Sequence, residues 1–234
     1  MSPMSLTLSI VIPAYNEERF VGTLLEQIAA VDLASLGVGR EVIVVDDCSR
    51  DRTSEIVSGF PSVRLHRMPS NGGKGRVVRA GLELATGDYV IIQDADLEYD
   101  PRDYVPMMRA ILERQGDVVY GSRYLAGGRH PRQSWTAYVG GRSLSLVCRL
   151  FTGTYLSDTV TALKLFPRSL LATLDLRTSG FELDHEITAK VLARGLKIVE
   201  VPVRYDPRSR EEGKKIGARD WLTGTRTFFR FRNG

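Results

Sequence analysis

Val90-Ile91-Ile92-Gln93-Asp94-Ala95-Asp96-Leu97-Glu98 is a short β-branched run that ends in three acids spaced two residues apart. Gly87-Asp88-Tyr89 opens it, so an apolar run of this length, bounded by turn residues, is expected to be a buried strand. Asp94 then lies at the carboxyl end of that strand, with Asp96 and Glu98 just beyond. Open α/β sheets bind ligands in the crevice outside the carboxyl ends of their strands. Carboxylates crowded there repel one another unless positive charge sits between them. A hard divalent cation such as Mg2+ or Mn2+, held by one or two carboxylates and substrate phosphates, meets that need. A solvated acidic loop is the plainer alternative, and the rest of the chain has to choose between them.

The flanking segments repeat the pattern. Leu6–Pro13 becomes continuously apolar and is expected to be a first strand, ended by Pro13, which cannot donate to a ladder. Asn16 is a candidate helix N-cap with Glu17 and Glu18 in the first turn, before Phe20, Leu24, Leu25 and Ile28 at helical spacing. Glu41–Val45 is a second strand, again ending in acids, Asp46 and Asp47, for which capping and solvation are the plain reading. Ser49 and Asp51 are candidate caps for the helix carrying Ile56 and Val57. Val63–His66 is a third short strand. Asn71-Gly72-Gly73-Lys74-Gly75 opens a helix and presents backbone N–H groups to an anion, though without the spacing of a Walker A loop. Pro101 starts a helix through Leu112, and Asp117–Ser122 is a strand running into Arg123. This alternation of strand and helix predicts a mostly parallel sheet with helices on both faces.

Beyond Arg123 the composition shifts. Residues 124–142 are expected to be a basic loop holding Arg129, Arg132 and Arg142. Residues 143–152 form an apolar helix beside Arg142 and Arg149. A helix from Phe181 ends at Arg194-Gly195, a strand follows at Lys197–Val203, and then a basic loop holds Arg208, Arg210, Gly213, Lys214 and Lys215. The tail, 216–234, interleaves Trp221, Phe228, Phe229 and Phe231 with arginines. It is expected to be an amphipathic helix, docked on the core or dipping into a lipid interface.

Bulk properties narrow the function. Net charge is +4, mild for a nucleic-acid binder, and there is no aromatic stacking strand. Two cysteines, Cys48 and Cys148, give neither a metal spacing nor a disulfide framework. No signal-peptide pattern and no run near the ~18 apolar residues of a membrane span is present. Contact with a membrane is therefore expected to be peripheral.

In order, Pro13-Ala14-Tyr15-Asn16-Glu17, Asp46 to Thr53, Gly73-Lys74-Gly75, Gly87-Asp88, Asp94-Ala95-Asp96 and Gly121-Ser122-Arg123 resemble the motifs of family 2 glycosyltransferases. The similarity is greatest to the polyprenyl-phosphate branch, which includes dolichyl-phosphate mannose synthases and glucosyltransferases. It covers roughly residues 6–215. The resemblance implies a GT-A fold, an α/β Rossmann-like domain over 1–215 with a nucleotide-sugar half (1–122) and an acceptor half (123–215). It implies inverting transfer of a hexose from a nucleotide-sugar donor, assisted by Mg2+ or Mn2+, to a polyprenyl phosphate at the cytoplasmic membrane face. UDP-glucose and GDP-mannose both remain open, with a lean to UDP-glucose because Glu98 stands where the mannose synthases carry glutamine. By the same resemblance Pro13, Ala14, Tyr15, Glu17, Asp46, Lys74, Asp94 and Ala95 line the nucleotide-sugar site. Asp96 is the metal ligand proper, joined by Glu98 and Asp94. Ser122, Arg123, Arg132 and Arg142 meet the acceptor phosphate, with Arg129 competing for the same role, and Arg210 and Lys215 complete the catalytic basic set.

Charge supports a mechanism. A hydroxyl acceptor needs a general base, and Asp158, Glu182 and Asp184 are candidates that equally well orient an arginine or cap a helix. A lipid phosphate is already anionic and needs arginines to hold it in line. The alternatives are the same fold acting on a soluble or polysaccharide hydroxyl acceptor, and a nucleotide-sugar-binding module without activity. The intact acids and basic loop weigh against the latter.

Overall fold

The computed structural model describes residues 6–125, 127–208 and 218–234. Among them, seven strands form one sheet: β1 (Leu6–Ala14), β2 (Val38–Asp46), β3 (Val63–Arg67), β4 (Tyr89–Ile92), β5 (Val118–Ser122), β6 (Lys164–Pro167) and β7 (Ile198–Pro202). The helices are α1 (Val21–Ala30), α2 (Thr53–Ser58), α3 (Lys74–Leu84), α4 (Tyr104–Leu112), α5 (Trp135–Thr152), α6 (Arg168–Leu171), α7 (Leu183–Ala193) and α8 (Ala218–Phe231). The sheet order is β3-β2-β1-β4-β6-β5-β7. β1, β2, β3 and β4 are mutually parallel, as are β5 and β7, while β6 runs antiparallel between β4 and β5. The mostly parallel sheet expected from the sequence is therefore present, with β6 as an inserted reversal.

Strand alternation explains the layers. Leu8, Ile10, Ile12, Val44 and Ile91 point to one face, where Leu24 and Ile28 of α1 and Met107 and Met108 of α4 cover them. Val11, Ile43, Val45, Val90 and Ile92 point to the other, against Val77 and Val78 of α3 and Ile187 and Val191 of α7. Both faces are covered, which is why these strands read as continuous apolar runs. The chain leaves β1 toward β2 on one side and reaches β4 on the other. The carboxyl ends of β1 and β4 therefore flank a topological switch point, the place where such sheets form a ligand crevice.

Several local expectations are corrected. Asn16 does not cap α1. It adopts φ +57°, and its side chain accepts from the Arg50 N–H at 2.9 Å, tying the β1–α1 loop to the β2–α2 loop. The Glu17 carbonyl instead accepts from Phe20 and Val21, and α1 begins four residues later than Glu17. Ser49 likewise accepts from the Asn16 N–H, so of the two expected caps Asp51 alone braces the start of α2, through Thr53, with Glu18 accepting from the Arg52 N–H. Pro13 does not end β1, which continues to Ala14. Pro101 opens a short 3-10 turn capped by Asp100 before α4 begins.

The largest correction concerns residues 124–142. α5 starts at Trp135, capped by Ser134, whose hydroxyl accepts from Ala137 N–H at 3.2 Å. Gly140 and Gly141, which fall in the expected loop, lie inside the helix. A Cβ at Gly141 would lie 3.0 Å from the Tyr124 hydroxyl, a tight contact. Arg142 is therefore a helix residue, whereas Arg129 and Arg132 remain in the preceding loop. Arg210, Gly213, Lys214 and Lys215 lie outside the described residues.

The tail forms α8, which docks on α5 and α7. Phe228 and Phe231 are buried with Cys148 and Ala189, and only Phe229 of the three phenylalanines faces solvent. His185 of α7 stacks on Phe228 at 5.1 Å between ring centroids, and Gly224 of α8 lies flush against the imidazole. Its Nδ1 is buried without a hydrogen-bond partner. Burial depresses its pKa; Asp184 pulls the other way and Lys164 adds to the depression, leaving it at about 4.

A histidine that protonates near 6.5 when unfolded and only near 4 when folded binds more protons in the unfolded state between those values. Stability should therefore fall as pH drops from 6.5 to 4, by about 2–3 kcal/mol from this group. Urea unfolding at pH 7.5 and pH 4.5 checks this: His185→Leu should show a drop smaller than wild type by about that amount. Equal drops would contradict a buried neutral imidazole.

Candidate active site

Asp94 and Asp96 emerge where β4 ends, and the residues facing them come from all parts of the chain. Lys74, the first residue of α3, places its Nζ 2.8 Å from Asp94 and 3.4 Å from Asp184. Asp184 also accepts from the fully buried Lys164 at 2.7 Å. The result is a chain of alternating charges, Lys164–Asp184–Lys74–Asp94, running from the core to the crevice. Burial works against the charge on Lys74, but Asp184 and Asp94 outweigh it and raise its pKa. Burial also opposes the charge on Asp184, and Lys164 and Lys74 overcome it, holding that carboxyl below its usual range.

The glycine-rich turn before α3 does not present its N–H groups to an outside anion. Gly72 and Gly73 donate to the two carboxylate oxygens of Asp47 at 2.7 and 2.9 Å. Gly73 adopts φ +85°, and a Cβ there would lie 2.7 Å from the Ser179 carbonyl, so glycine is required at this junction. Asp46 is fully buried, accepting from the Ser49 N–H at 3.1 Å and the Ser54 hydroxyl at 2.5 Å, with Arg67 at 3.4 Å. Ala14 and Ala95 are buried, while Pro13, Tyr15 and Glu17 are half-buried on the rim. The expected nucleotide-binding residues are thus gathered at the carboxyl ends of β1, β2 and β4.

The second and third acids have an unexpected partner. Arg208, read from the sequence only as part of a basic loop, reaches Asp96 at 2.8 Å and Glu17 at 3.4 Å. Its backbone N–H donates to Glu98 at 2.9 Å, and Tyr205 donates its hydroxyl to the same carboxylate at 3.0 Å. Burial, then the neighbouring charges of Asp94 and Glu98, push the Asp96 pKa up to about 7, with Arg208 pulling it down. The donor chemistry of these hard carboxylate oxygens fits Mg2+ or Mn2+. The arrangement does not: among the described residues no three potential metal ligands converge. Asp94 faces Lys74, Asp96 faces Arg208 and Glu98 faces Tyr205, so the expected ligand set is not assembled.

The acceptor-side residues form a third group. Arg123, at the end of β5, makes a bidentate pair with fully buried Asp158 at 2.6 and 2.7 Å. Asp158 is held in turn by Glu200 of β7, whose carboxylate accepts from the Asp158 N–H at 2.9 Å and from Ser157. The Arg123 guanidinium lies over Tyr205 and Tyr124. Arg142 of α5 lies over Tyr124 and Tyr155 and donates to the Ser157 carbonyl at 2.8 Å. Arg132 pairs with Asp206, next to Tyr205. Arg129 instead donates to carbonyls of its own loop. Ser122 is fully buried and bonded to Ser157 at 2.6 Å, so it braces the turn and does not face the crevice.

Tyr205 joins the two groups, touching Glu98 on one side and Arg123 on the other. Arg208, Tyr205 and Glu200 were not among the candidates read from the sequence. Their partners lie roughly 40 to 190 residues away, and no spacing signals them. The one available hint was the apolar strand ending at Pro202, which delivers the following residues to the same sheet edge.

Residues 9–174 match the sequence profile described as Glycosyl transferase family 2. A dolichol-phosphate mannosyltransferase of Pyrococcus furiosus is 30% identical over 220 residues, 91% of this chain and 60% of that protein. A low-salt glycan biosynthesis hexosyltransferase of Haloferax volcanii is 30% identical over 214 residues, 90% of this chain and 50% of that protein. The chain therefore spans only about half to three-fifths of the length of these relatives. Among solved structures, glucosyl-3-phosphoglycerate synthase from Mycobacterium tuberculosis, in complex with Mn2+, UDP and glucosyl-3-phosphoglycerate, superimposes with a TM-score of 0.68. It is 23% identical, and the match covers 88% of this chain and 74% of that one. The sheet is that of the GT-A glycosyltransferases, and with the profile spanning more than half of its residues, the chain belongs to glycosyl transferase family 2.

Proposed function

We propose that this chain moves a hexose, with inversion, from a nucleotide-sugar (UDP-glucose or GDP-mannose) to a polyprenyl phosphate at the cytoplasmic face of a membrane. Residues 1–122 take the donor and residues 123–215 the acceptor. The observation that carries this reading is the commitment of the two buried candidate bases to cations. Asp158 is locked to Arg123, Asp184 to Lys164 and Lys74, and Glu182 accepts from the Gly180 N–H at 3.1 Å. Using Asp158 as a base would strand a buried guanidinium, and breaking a buried pair costs about 3–5 kcal/mol. A hydroxyl acceptor would need a base that neither buried carboxylate can supply without breaking its ion pair, whereas a phosphate oxygen is anionic without one.

The chemistry then rests on position and charge. A phosphate oxygen forms the new bond to the anomeric carbon as the bond to the nucleotide diphosphate breaks on the opposite face. Arg123 and Arg142 are the residues for the acceptor phosphate, each held by a carboxylate or carbonyl and backed by aromatic rings. Preorganised cations of this kind stabilise developing charge without rearranging during the reaction. Arg123 is buried beside Asp158, so its role is to steer one phosphate oxygen while its other donors keep it fixed. The similarity to a dolichol-phosphate mannosyltransferase of Pyrococcus furiosus supports the acceptor class.

The surface supports a membrane-borne acceptor. Trp135, Val139, Leu146 and Leu150 fall on one stripe of α5 and are all exposed, Leu150 by 77%. Trp221, Leu222 and Phe229 of α8 are exposed beside them, and the two helices touch through Trp221 and Ser143 at 2.8 Å and through Phe151 and Phe229. Arg149, Arg219, Arg226 and Arg230 are exposed on these helices, against a single acid, Asp220. Arg142 lies on the same helix as the α5 stripe, so one element links the surface to the crevice. No helix among the described residues is long and apolar enough to cross a membrane.

Two outcomes are expected. Incubated with a panel of UDP- and GDP-sugars, a short polyprenyl phosphate and Mg2+ or Mn2+, the protein should form a lipid-phosphate sugar. Asp96→Ala should lower the rate by roughly a hundredfold or more. Donor hydrolysis with no lipid product would move the assignment to a hydroxyl acceptor. Separately, the protein should sediment with vesicles containing anionic lipid at low salt. A Val139→Gln/Leu146→Gln/Leu150→Gln variant should bind them about tenfold more weakly or worse, and unchanged sedimentation would remove α5 as the contact.

A further inference from the structure

β6 runs against both of its neighbours in the sheet, and its first residue is a lysine. The reversal places Lys164 beside Ile92 of β4 and Tyr120 of β5, at the edge where the crevice begins. Leu163 and Leu165 belong to the face covered by α1 and α4, so strand alternation turns Lys164 to the other face, toward α7. There it is fully buried. Its Nζ donates to Asp184 at 2.7 Å and to the Thr161 carbonyl, and it lies 5.2 Å from the centre of the Tyr120 ring. A carboxylate, a carbonyl and an aromatic face are surroundings suited to a charged ammonium.

The neighbouring lysine shows what that charge does. Lys74 sits between two carboxylates and is closer to the more exposed one. Asp94, with its side chain 26% exposed, is at 2.8 Å, and Asp184, 9% exposed, is at 3.4 Å. Attraction between charges grows as water is removed, so an ammonium offered both would settle on the buried carboxylate. Asp184, however, gives Oδ1 to Lys164 and leaves Oδ2 for Lys74. Its charge is already balanced from the core side, and its hold on Lys74 is correspondingly loose.

We propose that Lys164 is a positioning residue for the donor: by holding Asp184 from behind, it keeps Lys74 forward at the crevice, where Lys74 is able to exchange Asp94 for a phosphate oxygen of the nucleotide-sugar. This rests on the reading of the crevice as a nucleotide-sugar site. Without the Lys164 charge, Asp184 would be a buried carboxylate with Lys74 as its nearest remaining cation. Lys74 would then be drawn back toward the core and away from a bound diphosphate. A lysine inside a sheet is costly to bury, and an apolar side chain would fill the same space. Its task is therefore to set the balance of charge behind Lys74.

The probes are UDP and GDP alone, titrated calorimetrically into the full chain with Mg2+ present throughout. Wild type should bind at least one of them. Lys164→Gln, which keeps a hydrogen-bond donor for Asp184 without the charge, should bind it about tenfold more weakly. Lys164→Gln/Asp184→Asn, with neither charge left behind Lys74, should recover to within about threefold of wild type. In a Lys74→Met background, itself weak in binding, adding Lys164→Gln should change the affinity by less than about twofold, because the effect passes through Lys74. A merely structural role would weaken binding in both backgrounds and leave the double variant no better. Should Lys164→Gln fail to fold, Lys164→Gln/Asp184→Asn carries the test, since removing both members of a buried pair is tolerated better than removing one. Binding by that variant as weak as that of Lys74→Met would overturn the proposal. Undiminished binding by folded Lys164→Gln would also overturn it and leave the donor reading intact. Wild type that binds neither nucleotide would overturn the donor reading, and the proposal with it.

Discussion

Like charges at the end of β4 have to be balanced, and most of the crevice is built around that requirement. Asp94, Asp96 and Glu98 follow one strand within five residues, and burial, with the charges of Asp94 and Glu98 added to it, raises the Asp96 pKa to about 7. Two cations supplied by distant parts of the chain answer them. Lys74 starts α3 and Arg208 follows β7, and each reaches the acids because the sheet brings the ends of β1, β4 and β7 to one edge. The buried pair Lys164–Asp184 extends the same balance into the core and fixes Lys74 from behind. Remove the sheet order and none of these charges meet.

The acceptor side obeys the same rule with different residues. Arg123, Asp158 and Glu200 are ordered by the β5–β7 pairing and by the turn before β6, and the backbone N–H of Asp158 anchors on Glu200. Among the described residues, the buried candidate bases Asp158 and Asp184 are each engaged with a cation. The chemistry left to such a site is the alignment of groups that are charged before they arrive. That is why an anionic acceptor suits the geometry better than a neutral one, and Arg142, three residues after Val139 and four before Leu146, falls in line with the exposed apolar stripe of its helix.

Much of this was legible from residue patterns because it is local. β1, β2 and β4 declared themselves as continuous β-branched runs, and the acids after them marked the crevice edge. The end of α7 at Arg194-Gly195 was visible because Gly195 takes φ +70°, a conformation that favours glycine. The failures are tertiary. Asn16 has the chemistry of a helix cap, yet its side chain serves a loop 34 residues away. Gly140 and Gly141 fall in the expected loop, yet both lie inside α5, with the Tyr124 hydroxyl close beside Gly141. Asp47 looked like a cap or a solvated acid and instead accepts the glycine-turn N–H groups that seemed meant for a phosphate. Arg208 was one basic residue among several until the fold set it 2.8 Å from Asp96, 112 positions earlier.

The central claim is that the acid cluster holds its own cations in place of a substrate's charge. A crystal structure with Mn2+ and a bound nucleoside diphosphate tests it most directly. The account predicts the diphosphate at the carboxyl ends of β1 and β4, with Lys74 or Arg208 turned from its carboxylate onto phosphate oxygens. A diphosphate bound elsewhere, or one bound with both cations still paired to Asp94 and Asp96, would contradict it.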